Sequence, residues 1–394
     1  MRIGIDCRSI LNPDGGEFAG VGHYTYYLVK HLIQLKTEHE FVLFFDYRMK
    51  REGTQEFEAD HVKIRYFPFS QYKKFLPFAY SHMLRAAVLL TDRLDVYHSP
   101  TTAMPLTYPK TTVVTVHDMA IYENPSWFPT RVFSTKMLVP QTLKRARKII
   151  AVSKFTKQET QNLFSVPSRK IVVVNEGVDT RLLDLKDRHT DVRKKFGLGK
   201  RFLFFVGTVE ARKNLLGLIE AFDGLLKAKP ELLGECQLVL AGAIGHHGEE
   251  IVEKIQALKL QKRIRYLGYV THNQKLNLMK AATAFVFPSL YEGFGLPVLE
   301  AMNLGTPVVT SNVTALPELA GDAAVLVDPA NTVDLAAGIE RVLSDEKLRQ
   351  TLRTKGLHRA KAYGWSLAAR ETVGVYESIP EEKLIEEARK ETGS

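Results

Sequence analysis

Short apolar runs rich in β-branched residues alternate along the chain with amphipathic stretches of helical period. This alternation is typical of parallel β-sheets that are covered by helices on both faces. The apolar runs form two successive series, so the pattern predicts an α/β fold with two doubly wound, Rossmann-like domains in tandem. The predicted strands are Arg2–Ile5, Glu40–Phe45, Val62–Phe67, Val96–His98, Thr112–Val116 and Lys148–Val152 in the first series, and Lys170–Val174, Phe202–Val206, Gln237–Ala241, Ile264–Leu267, Ala284–Phe287, Pro307–Thr310 and Ala324–Val327 in the second.

The chain length supports the same division. Its 394 residues exceed the ~250 to 300 at which a single core stops growing. A polar, charge-dense stretch between the two series, NEGVDTRLLDLKDRHTDVRKKFGL, predicts the boundary. We therefore expect a first domain at residues 1–178 and a second at 179–365. At 366–394 we expect a C-terminal helix that returns towards the first domain.

The balance of charge narrows the classes of partner. Lys and Arg outnumber Asp and Glu by 54 to 44, which gives a net charge of +10 and an isoelectric point near 9.3. Such a surplus suits nucleic acid, an anionic membrane or a phosphorylated substrate. The sequence contains no zinc finger and no aromatic RNA-binding motif, so we expect phosphates or lipid head groups as partners, and no nucleic acid.

The sequence indicates no signal peptide or membrane span, and no disulfide or metal site at its cysteines. The first residues, MRIGIDCRSI, predict a strand with a charge inside it rather than a signal peptide, and no apolar run reaches the ~18 residues of a membrane span. We therefore expect a cytoplasmic protein. Cys7 and Cys236 are far apart in apolar runs, which indicates no disulfide framework and no metal site and predicts two reduced core residues.

In open parallel sheets, ligands bind beyond the carboxyl ends of the strands, in loops that lead into helices. The stretch FPSLYEGFGLPVLEAM is such a loop, where Gly293 and Gly295 remove side chains from the approach and exposed amides suit a phosphate. Glu300 would face the ligand from the helix and accept both hydroxyls of a ribose, whereas Glu292 would lie nearer the group beyond the phosphates. The alternative is a tight turn with two solvated glutamates.

A second loop, FVGTVEARKNLLGLIEAF, follows another predicted strand. Arg212 and Lys213 would lie at the mouth of the same sheet, and two cations there suit a diphosphate. The alternative is an ordinary solvated helix start.

The first half contains loops of the same kind with weaker signals. DGGEFAGVG places Gly15, Gly16, Gly20 and Gly22 between the first strand and a helix, as a rim free of side chains that could approach a phosphate or a sugar.

Polar side chains also follow two strands of the first half. His117 and Asp118 come after TTVVTV and should point into the crevice, although such a pair is more often a satisfied capping pair than a catalytic one. His98 and Thr101 end a neighbouring strand in DVYHSPTT. We take His98, Thr101 and Asp118 as weak candidates for binding an acceptor.

The stretch from Glu292 to Glu300 resembles the Glu-x7-Glu motif of the retaining glycosyltransferases of family 4, which have the GT-B fold. Further stretches fall in the family's order along nearly the whole chain: AGVGHYTYYL, DVYHSP, TVHD, AVSKFTKQET, NEGVD, GTVEARKN, LAGA, YLGYV and YGWSLAA. The resemblance implies two Rossmann-like domains facing across a deep cleft. The C-terminal domain would bind a nucleotide sugar and the N-terminal domain the acceptor.

The resemblance also implies a role for each matching residue. Glu300 would hold the ribose, and Arg212 and Lys213 would bind the diphosphate. His117 would reach the transferred sugar at its C6 hydroxyl. The remaining donor contacts would come from Gly20 and Gly22 at the N-domain rim, from Gly268 and Tyr269 beside the base, and from Glu292, Gly293, Phe294, Gly295 and Leu296 at the sugar and diphosphate.

The family chemistry, as the resemblance implies it, is a retaining transfer on one face of the sugar without a metal or other cofactor. Charge builds on the diphosphate as the glycosidic bond loosens, so cations and amides stabilise the transition state, and the leaving phosphate helps to take the acceptor proton. Glu292 is therefore not expected to act as a double-displacement nucleophile. Thr208 follows Gly207 where many relatives have Arg, and Arg212 is the residue that would compensate.

Two other functions stay open at this point. One is a nucleotide-sugar hydrolase or epimerase on the same fold, and the other is a non-catalytic subunit that binds nucleotide sugars. The cation pair, His117 and both glutamates argue against the second.

The sequence gives the least information on the chemical identity of the acceptor and of the donor. The stretch at 71–90, QYKKFLPFAYSHMLRAAVLL, has the composition of a surface that lies on anionic lipid, and an amphipathic core helix explains it equally well. Together with family members that extend lipid-linked glycans, it indicates a glycan or polyprenyl-linked acceptor in lipopolysaccharide or polysaccharide assembly, at the inner face of the cytoplasmic membrane. GTVEARKNL most resembles mannosyltransferases, so we expect GDP-mannose, with UDP- and ADP-sugars as alternatives.

Overall fold

The computed structural model describes residues 1–10, 20–49, 53–67, 78–128, 133–178 and 191–391. Strands in these ranges begin and end within one residue of the predicted bounds. They are β1 (Arg2–Asp6), β2 (Glu40–Asp46), β3 (Val62–Phe67), β4 (Val96–Ser99), β5 (Thr112–Val116), β6 (Lys148–Ala151), β7 (Ile171–Val173), β8 (Phe202–Val206), β9 (Gln237–Ala241), β10 (Ile264–Tyr266), β11 (Ala284–Phe287), β12 (Val308–Ser311) and β13 (Val325–Val327).

The first sheet has seven strands in the order β3-β2-β1-β4-β5-β6-β7, and its neighbours pair in parallel. Every residue of its central strands β4, β5 and β6 is buried, so these strands show no alternation of buried and exposed positions. The sequence pattern placed the strand at 170–174 in the second series, although the predicted bound at residue 178 includes it in the first domain, and the series assignment was wrong. Ile171 pairs with Ile149 of β6, so β7 forms the edge of the first sheet.

The second sheet has six strands in the order β10-β9-β8-β11-β12-β13, also parallel. The order reverses between β8 and β11, which are hydrogen-bonded neighbours although β9 and β10 separate them in sequence. This reversal is the topological switch point at which doubly wound sheets bind ligands. The sequence prediction of two doubly wound sheets is confirmed.

Helices follow most strands. In chain order they are α1 (Val21–Leu32), α2 (Phe78–Leu90), α3 (Ala120–Glu123), α4 (Phe133–Arg145), α5 (Lys154–Phe164), α6 (Val192–Phe196), α7 (Leu215–Ala228), α8 (Pro230–Leu233), α9 (Glu249–Ala257), α10 (His272–Ala281), α11 (Leu296–Asn303), α12 (Leu316–Ala320), α13 (Thr332–Ser344), α14 (Glu346–Ala360) and α15 (Trp365–Glu391).

Two compact units contain these elements. The first consists of residues 1–119, 131–176 and 365–394, and the second of residues 120–130 and 177–364. The segment 120–130, which the sequence analysis assigned to the first domain, is thus grouped with the second. The C-terminal helix α15 belongs to the first unit, where the Trp365 ring stacks on Tyr27 of α1 with 5.7 Å between ring centroids.

Buried side chains bear on two sequence expectations. Cys7 and Cys236 are both buried and free, as predicted for core residues. In α2, Ala86 and Leu89 belong to the core of the first unit, whereas residues 71–77 of the stretch considered for membrane docking lie outside the described residues. Among the helices that the structure describes, none is both long and apolar enough to cross a bilayer.

Candidate active site

Three of the predicted site residues meet at the switch point of the second sheet. Arg212 and Lys213 lie in a 3₁₀ turn, Ala211–Lys213, that follows β8. Glu292 lies in the loop after β11. Because β8 and β11 are neighbours, their carboxyl ends bring the two loops together, and the Leu290 amide donates to the Arg212 carbonyl at 2.9 Å.

The Glu292 carboxylate binds both cations. Arg212 Nη1 donates to Glu292 Oε2 at 3.2 Å and to the Tyr291 carbonyl at 3.0 Å. Lys213 Nζ donates to the other oxygen, Glu292 Oε1. Glu292 is 8% exposed, and its backbone amide donates to the Thr314 hydroxyl at 3.2 Å. The carboxylate is therefore held in one orientation by two cations of one turn, while Thr314 holds the backbone of Glu292.

Electrostatics keep this carboxylate ionised. Burial acts to raise the pKa of Glu292, but the charges of Lys213 and Arg212 outweigh it, so the pKa lies below its ordinary value of 4.5. The Lys213 ammonium also lies 5.2 Å from the centre of the Phe287 ring, a cation–π distance. The cluster is therefore charged at neutral pH.

A second carboxylate completes the cluster. Glu210 Oε1 accepts a hydrogen bond from Arg212 Nη2 at 3.0 Å. Glu210 and Glu292 together match the two positive charges of Arg212 and Lys213. The sequence analysis missed this role of Glu210, although its position two residues before Arg212 was visible. The two cations thus have protein partners in the absence of a ligand.

The glycine-rich loop enters α11 through a left-handed residue. Gly295 has φ of 106° and precedes Leu296, the first residue of the helix, with a proline in the first turn. A Cβ at position 295 would lie 2.7 Å from Leu316 Cδ2, so space as well as backbone conformation requires glycine. Gly293 is buried, and the ring of Phe294 packs edge-on against Tyr363 at 5.9 Å.

Glu300 lies on α11 and is only 3% exposed. Its Oε1 accepts a hydrogen bond from Lys275 Nζ of α10 at 2.7 Å. The sequence analysis did not identify Lys275, because nothing in one sequence connects a lysine of one helix with a glutamate 25 positions later. The lysine holds one carboxylate oxygen of Glu300.

The residues expected beside the base come from the loop after β10. The Gly268 carbonyl accepts a hydrogen bond from the Gly242 amide at 2.8 Å. The Tyr269 side chain is 56% exposed. At Gly242 an added Cβ would lie 1.8 Å from the Gly207 carbonyl oxygen, so the loops after β8 and β9 meet backbone to backbone.

His117 follows β5 in the first unit, and both of its ring nitrogens have acceptors. Nδ1 lies 3.1 Å from Glu176 Oε1 and Nε2 lies 2.9 Å from the Pro100 carbonyl oxygen. Burial acts to lower the pKa of His117, but Glu176 and the other acceptors raise it above 6.5 overall. In its charged form the ring would donate both of its protons to these acceptors. Glu176, in the NEGVD stretch, was not singled out from the sequence.

Two family models and a sequence relative identify the family of this chain. Residues 188–359 match the family model "Glycosyl transferases group 1", and residues 18–182 match "Glycosyltransferase Family 4". O-antigen chain mannosyltransferase B of Escherichia coli is 32% identical over 370 residues, which cover 91% of this chain and 96% of the relative. The chain belongs to the family 4, group 1 glycosyltransferases. The predicted family and the transferase class are confirmed.

Solved structures share the fold of this glycosyltransferase. Sucrose-phosphate synthase from Thermosynechococcus elongatus superposes with a TM-score of 0.74 at 19% identity, over 96% of this chain and 98% of the other. Anabaena HepE, solved in complex with UDP and glucose, gives a TM-score of 0.73 at 19% identity, over 96% and 100%. The likeness confirms the predicted GT-B class of fold.

The acceptor candidates of this glycosyltransferase have protein partners in the first unit. His98 is fully buried, with Nδ1 2.7 Å from the Tyr376 hydroxyl of α15 and Nε2 2.9 Å from Thr115 Oγ1. Thr101 Oγ1 donates to the Ala103 carbonyl at 3.3 Å within its own turn. Asp118 is partly exposed, and its charge contributes to the raised pKa of His117.

Two glycines of the predicted rim are described. Gly20 is the N-cap of α1 and Gly22 is buried in its first turn. Gly15 and Gly16 lie outside the described residues. Among the side chains that the structure describes, no three His, Cys, Asp or Glu residues form a group that could hold a metal ion.

Proposed function

We propose that this glycosyltransferase transfers a mannosyl residue from GDP-mannose to a glycan or lipid-linked glycan during polysaccharide or lipopolysaccharide assembly, with retention of configuration. The observation that carries the proposal is the O-antigen mannosyltransferase of Escherichia coli, which matches 91% of the chain at 32% identity. Such coverage includes both units, so it supports a common donor and a common class of acceptor.

The charged cluster would stabilise the leaving group. The bond between the anomeric carbon and the donor phosphate oxygen breaks, and negative charge develops on the departing nucleoside diphosphate. Arg212 and Lys213 would meet this charge at the carboxyl end of β8. The acceptor oxygen forms the new bond to the anomeric carbon and gives its proton to the departing phosphate.

Glu292 would hold the two cations in place rather than attack the sugar. One of its oxygens binds Arg212 and the other binds Lys213, and its pKa is lowered. A retaining glycosidase uses two carboxylates about 5 Å apart, one of them as a nucleophile. A carboxylate with both oxygens on cations is a poor nucleophile, which supports a reaction on one face of the sugar.

Metal independence is part of the proposal. The cations of the cluster would neutralise the diphosphate, so full activity is expected in excess EDTA. A strict requirement for Mn²⁺ or Mg²⁺ would contradict this.

A thermal-shift panel of GDP-, UDP- and ADP-sugars tests the donor. A ligand that binds only the folded protein raises its stability by RT ln(1 + [L]/Kd), roughly 2.7 kcal/mol at a hundredfold excess over Kd. We expect the largest shift with GDP-mannose. A shift with UDP-glucose and none with GDP compounds would overturn the donor while leaving the glycosyltransferase family unaffected.

Turnover of labelled GDP-mannose with and without a glycan acceptor tests the reaction. Transfer that depends on the acceptor supports the proposal. Turnover of GDP-mannose that is the same with and without the acceptor indicates a hydrolase or an epimerase. Binding of GDP-mannose without turnover indicates a non-catalytic subunit.

A further inference from the structure

A groove in the first unit is distinct from the residues assigned to the reaction. It encloses about 950 Å³ and lies between the end of α4, the start of β6, the end of α5 and the start of β7. We call it the basic groove. Its charged lining consists of Lys144, Arg145, Arg147, Arg169, Lys170 and Glu382.

Positive charge exceeds negative charge in the basic groove by five residues to one. Lys170 Nζ donates to the carbonyls of Leu143 and Lys144 at 3.0 and 2.7 Å, and Arg145 Nη2 donates to the Tyr108 carbonyl at 3.2 Å. Carbonyl acceptors fix these side chains without neutralising their charge.

Among the described residues that line the groove, Glu382 is the one carboxylate, and two cations share it. Glu382 Oε2 lies 3.6 Å from Arg147 Nη2, and its Oε1 accepts from Lys148, a further cation at the start of β6. Burial, together with the charge of Arg147, lowers the pKa of Lys170. The described side chains therefore leave a surplus of positive charge for an anionic partner.

Exposed apolar side chains flank this charge. Met137 on α4 is 62% exposed and lies three and four residues before the lining residues Pro140 and Gln141, hence on the same helix face. Leu163 on α5 is 43% exposed and directly precedes the lining residue Phe164. Cations beside exposed apolar groups are the composition of an interfacial surface.

The groove lies at the amino edge of the first sheet. Arg147 precedes β6 and Lys170 precedes β7, whereas His117 and Glu176 follow the carboxyl ends of β5 and β7. A partner bound in the groove would therefore leave the carboxyl edge of this sheet unobstructed.

We propose that the basic groove, with Met137 and Leu163, docks the protein on the anionic headgroups of a phospholipid membrane. Phosphodiesters would lie among the cations while the two apolar side chains enter the interface. The exposed side chains of Met137 and Leu163 favour a lipid surface over a soluble phosphate, because a soluble phosphate offers them no contact. This surface differs from the stretch at 71–90 considered above.

Flotation of the full chain with vesicles tests the proposal without measuring activity, so its outcome is independent of the proposed function. We expect binding to phosphatidylcholine vesicles that contain phosphatidylglycerol, weakened by salt, and little binding to phosphatidylcholine alone. The variant Lys144→Glu/Arg169→Glu should reduce the partition coefficient at least about tenfold, since each cation near such a surface contributes a several-fold factor.

The matched control is Lys200→Glu/Lys347→Glu, which makes the same charge change at exposed positions of the second unit and should bind nearly as the unaltered chain does. Met137→Ser should weaken the binding that survives in high salt, whereas Val333→Ser, at a 76% exposed position, should not.

Equal losses in the groove variant and in the charge-matched control would overturn the proposal, as would equal binding to neutral vesicles. Stabilisation by inorganic polyphosphate that Lys144→Glu/Arg169→Glu abolishes, without vesicle binding, would assign the groove to a soluble anion and also overturn it. Circular dichroism establishes that each variant is folded.

Discussion

Both units place a buried carboxylate at the carboxyl ends of their strands, but they give it different partners. In the second unit Glu292 forms ion pairs with Arg212 and Lys213. In the first unit Glu176 binds His117, whose charge depends on pH. The carboxyl edges of the two Rossmann-like sheets thus hold a carboxylate with two cations in one case and a carboxylate–histidine pair in the other.

The comparison shows that the partner, and not burial alone, decides the charge of a group. His98 lies in β4 and His117 directly follows the neighbouring strand β5; His98 is fully buried, and the side chain of His117 is 18% exposed. Burial and the charge of His117 lower the pKa of His98 to about 3, because its partners are the neutral hydroxyls of Tyr376 and Thr115. Glu176 raises the pKa of His117 instead.

The two networks therefore respond to pH in opposite directions. Because the folded pKa of His117 is raised, its pair with Glu176 contributes stability fully below about 6.5 and loses it as the pH rises through the folded pKa. Because the folded pKa of Glu292 is lowered, its cluster contributes above about 4.5 and loses stability as the pH falls through the folded pKa.

The largest effect is expected for Glu292→Ala. Removing this carboxylate leaves Arg212 and the buried Lys213 without their common partner, which should lower the free energy of unfolding at pH 7 by about 3 to 5 kcal/mol. Urea unfolding measures it. The control is Asp322→Ala, which breaks an exposed pair with Lys355 and should leave the midpoint unchanged. A loss below about 1 kcal/mol for Glu292→Ala would mean that the cluster is not a structural ion network.

The next effect is kinetic and rests on the proposed function. Lys213→Ala should lower kcat about 100-fold, because the negative charge on the departing diphosphate, which Lys213 would stabilise, grows in the transition state. Lys227→Ala, at an exposed lysine of α7, is the control. Steady-state kinetics with saturating donor measure both variants. If Lys213→Ala raised KM and left kcat unchanged, the lysine would act on ground-state binding of the donor. The Glu292 cluster would then differ from the His117–Glu176 pair in its effect on stability alone.

Glu300→Ala tests whether a carboxylate already held by a lysine still serves a ligand. We expect KM for the donor to rise roughly tenfold to a hundredfold, the equivalent of a charged hydrogen bond of about 1.5 to 3 kcal/mol. Glu340→Ala removes a carboxylate that pairs with Lys229 on the surface and should not change KM. Calorimetry of donor binding tests this expectation. An unchanged affinity would mean that Glu300 pairs with Lys275 and does not bind the donor.

The smallest effect is the pH-dependent one. Glu176→Gln should cost about 1 kcal/mol of unfolding free energy at pH 5.5, where His117 is charged, and less at pH 8.5. Urea unfolding at the two pH values measures the difference. A cost that stayed the same at both values would show that the pair acts through its neutral hydrogen bond, and the contrast between the two networks would fail.

Hydrophobic runs predicted the strands well because both sheets are parallel and buried, so each strand is a short apolar run between polar loops. The assignment of β7 failed because such a run carries no mark of the sheet it joins. Residues 120–130 are grouped with the second unit through their packing, which the local sequence pattern does not indicate.

Partners of the site residues were the part that a single sequence could not supply. His117 and Glu176 are 59 positions apart, and Lys213 and Glu292 are 79 apart. A residue could be identified only where its motif pointed to chemistry. Glu292 lay in such a motif and was identified, whereas Glu176 was not. His98 shows the converse: all four residues of β4 are buried, so alternation gives no sign of where its side chain points.

The stacking of Trp365 on α1 has a consequence for synthesis of the chain. Every residue of the second unit precedes Trp365, whereas the first unit needs α15 for completion. At about 5 to 20 residues per second, the ribosome takes about 10 to 40 s to make the intervening segment. During that time the aromatic face of Tyr24 and Tyr27 has no Trp365 to cover it. The domain that begins first is therefore finished last.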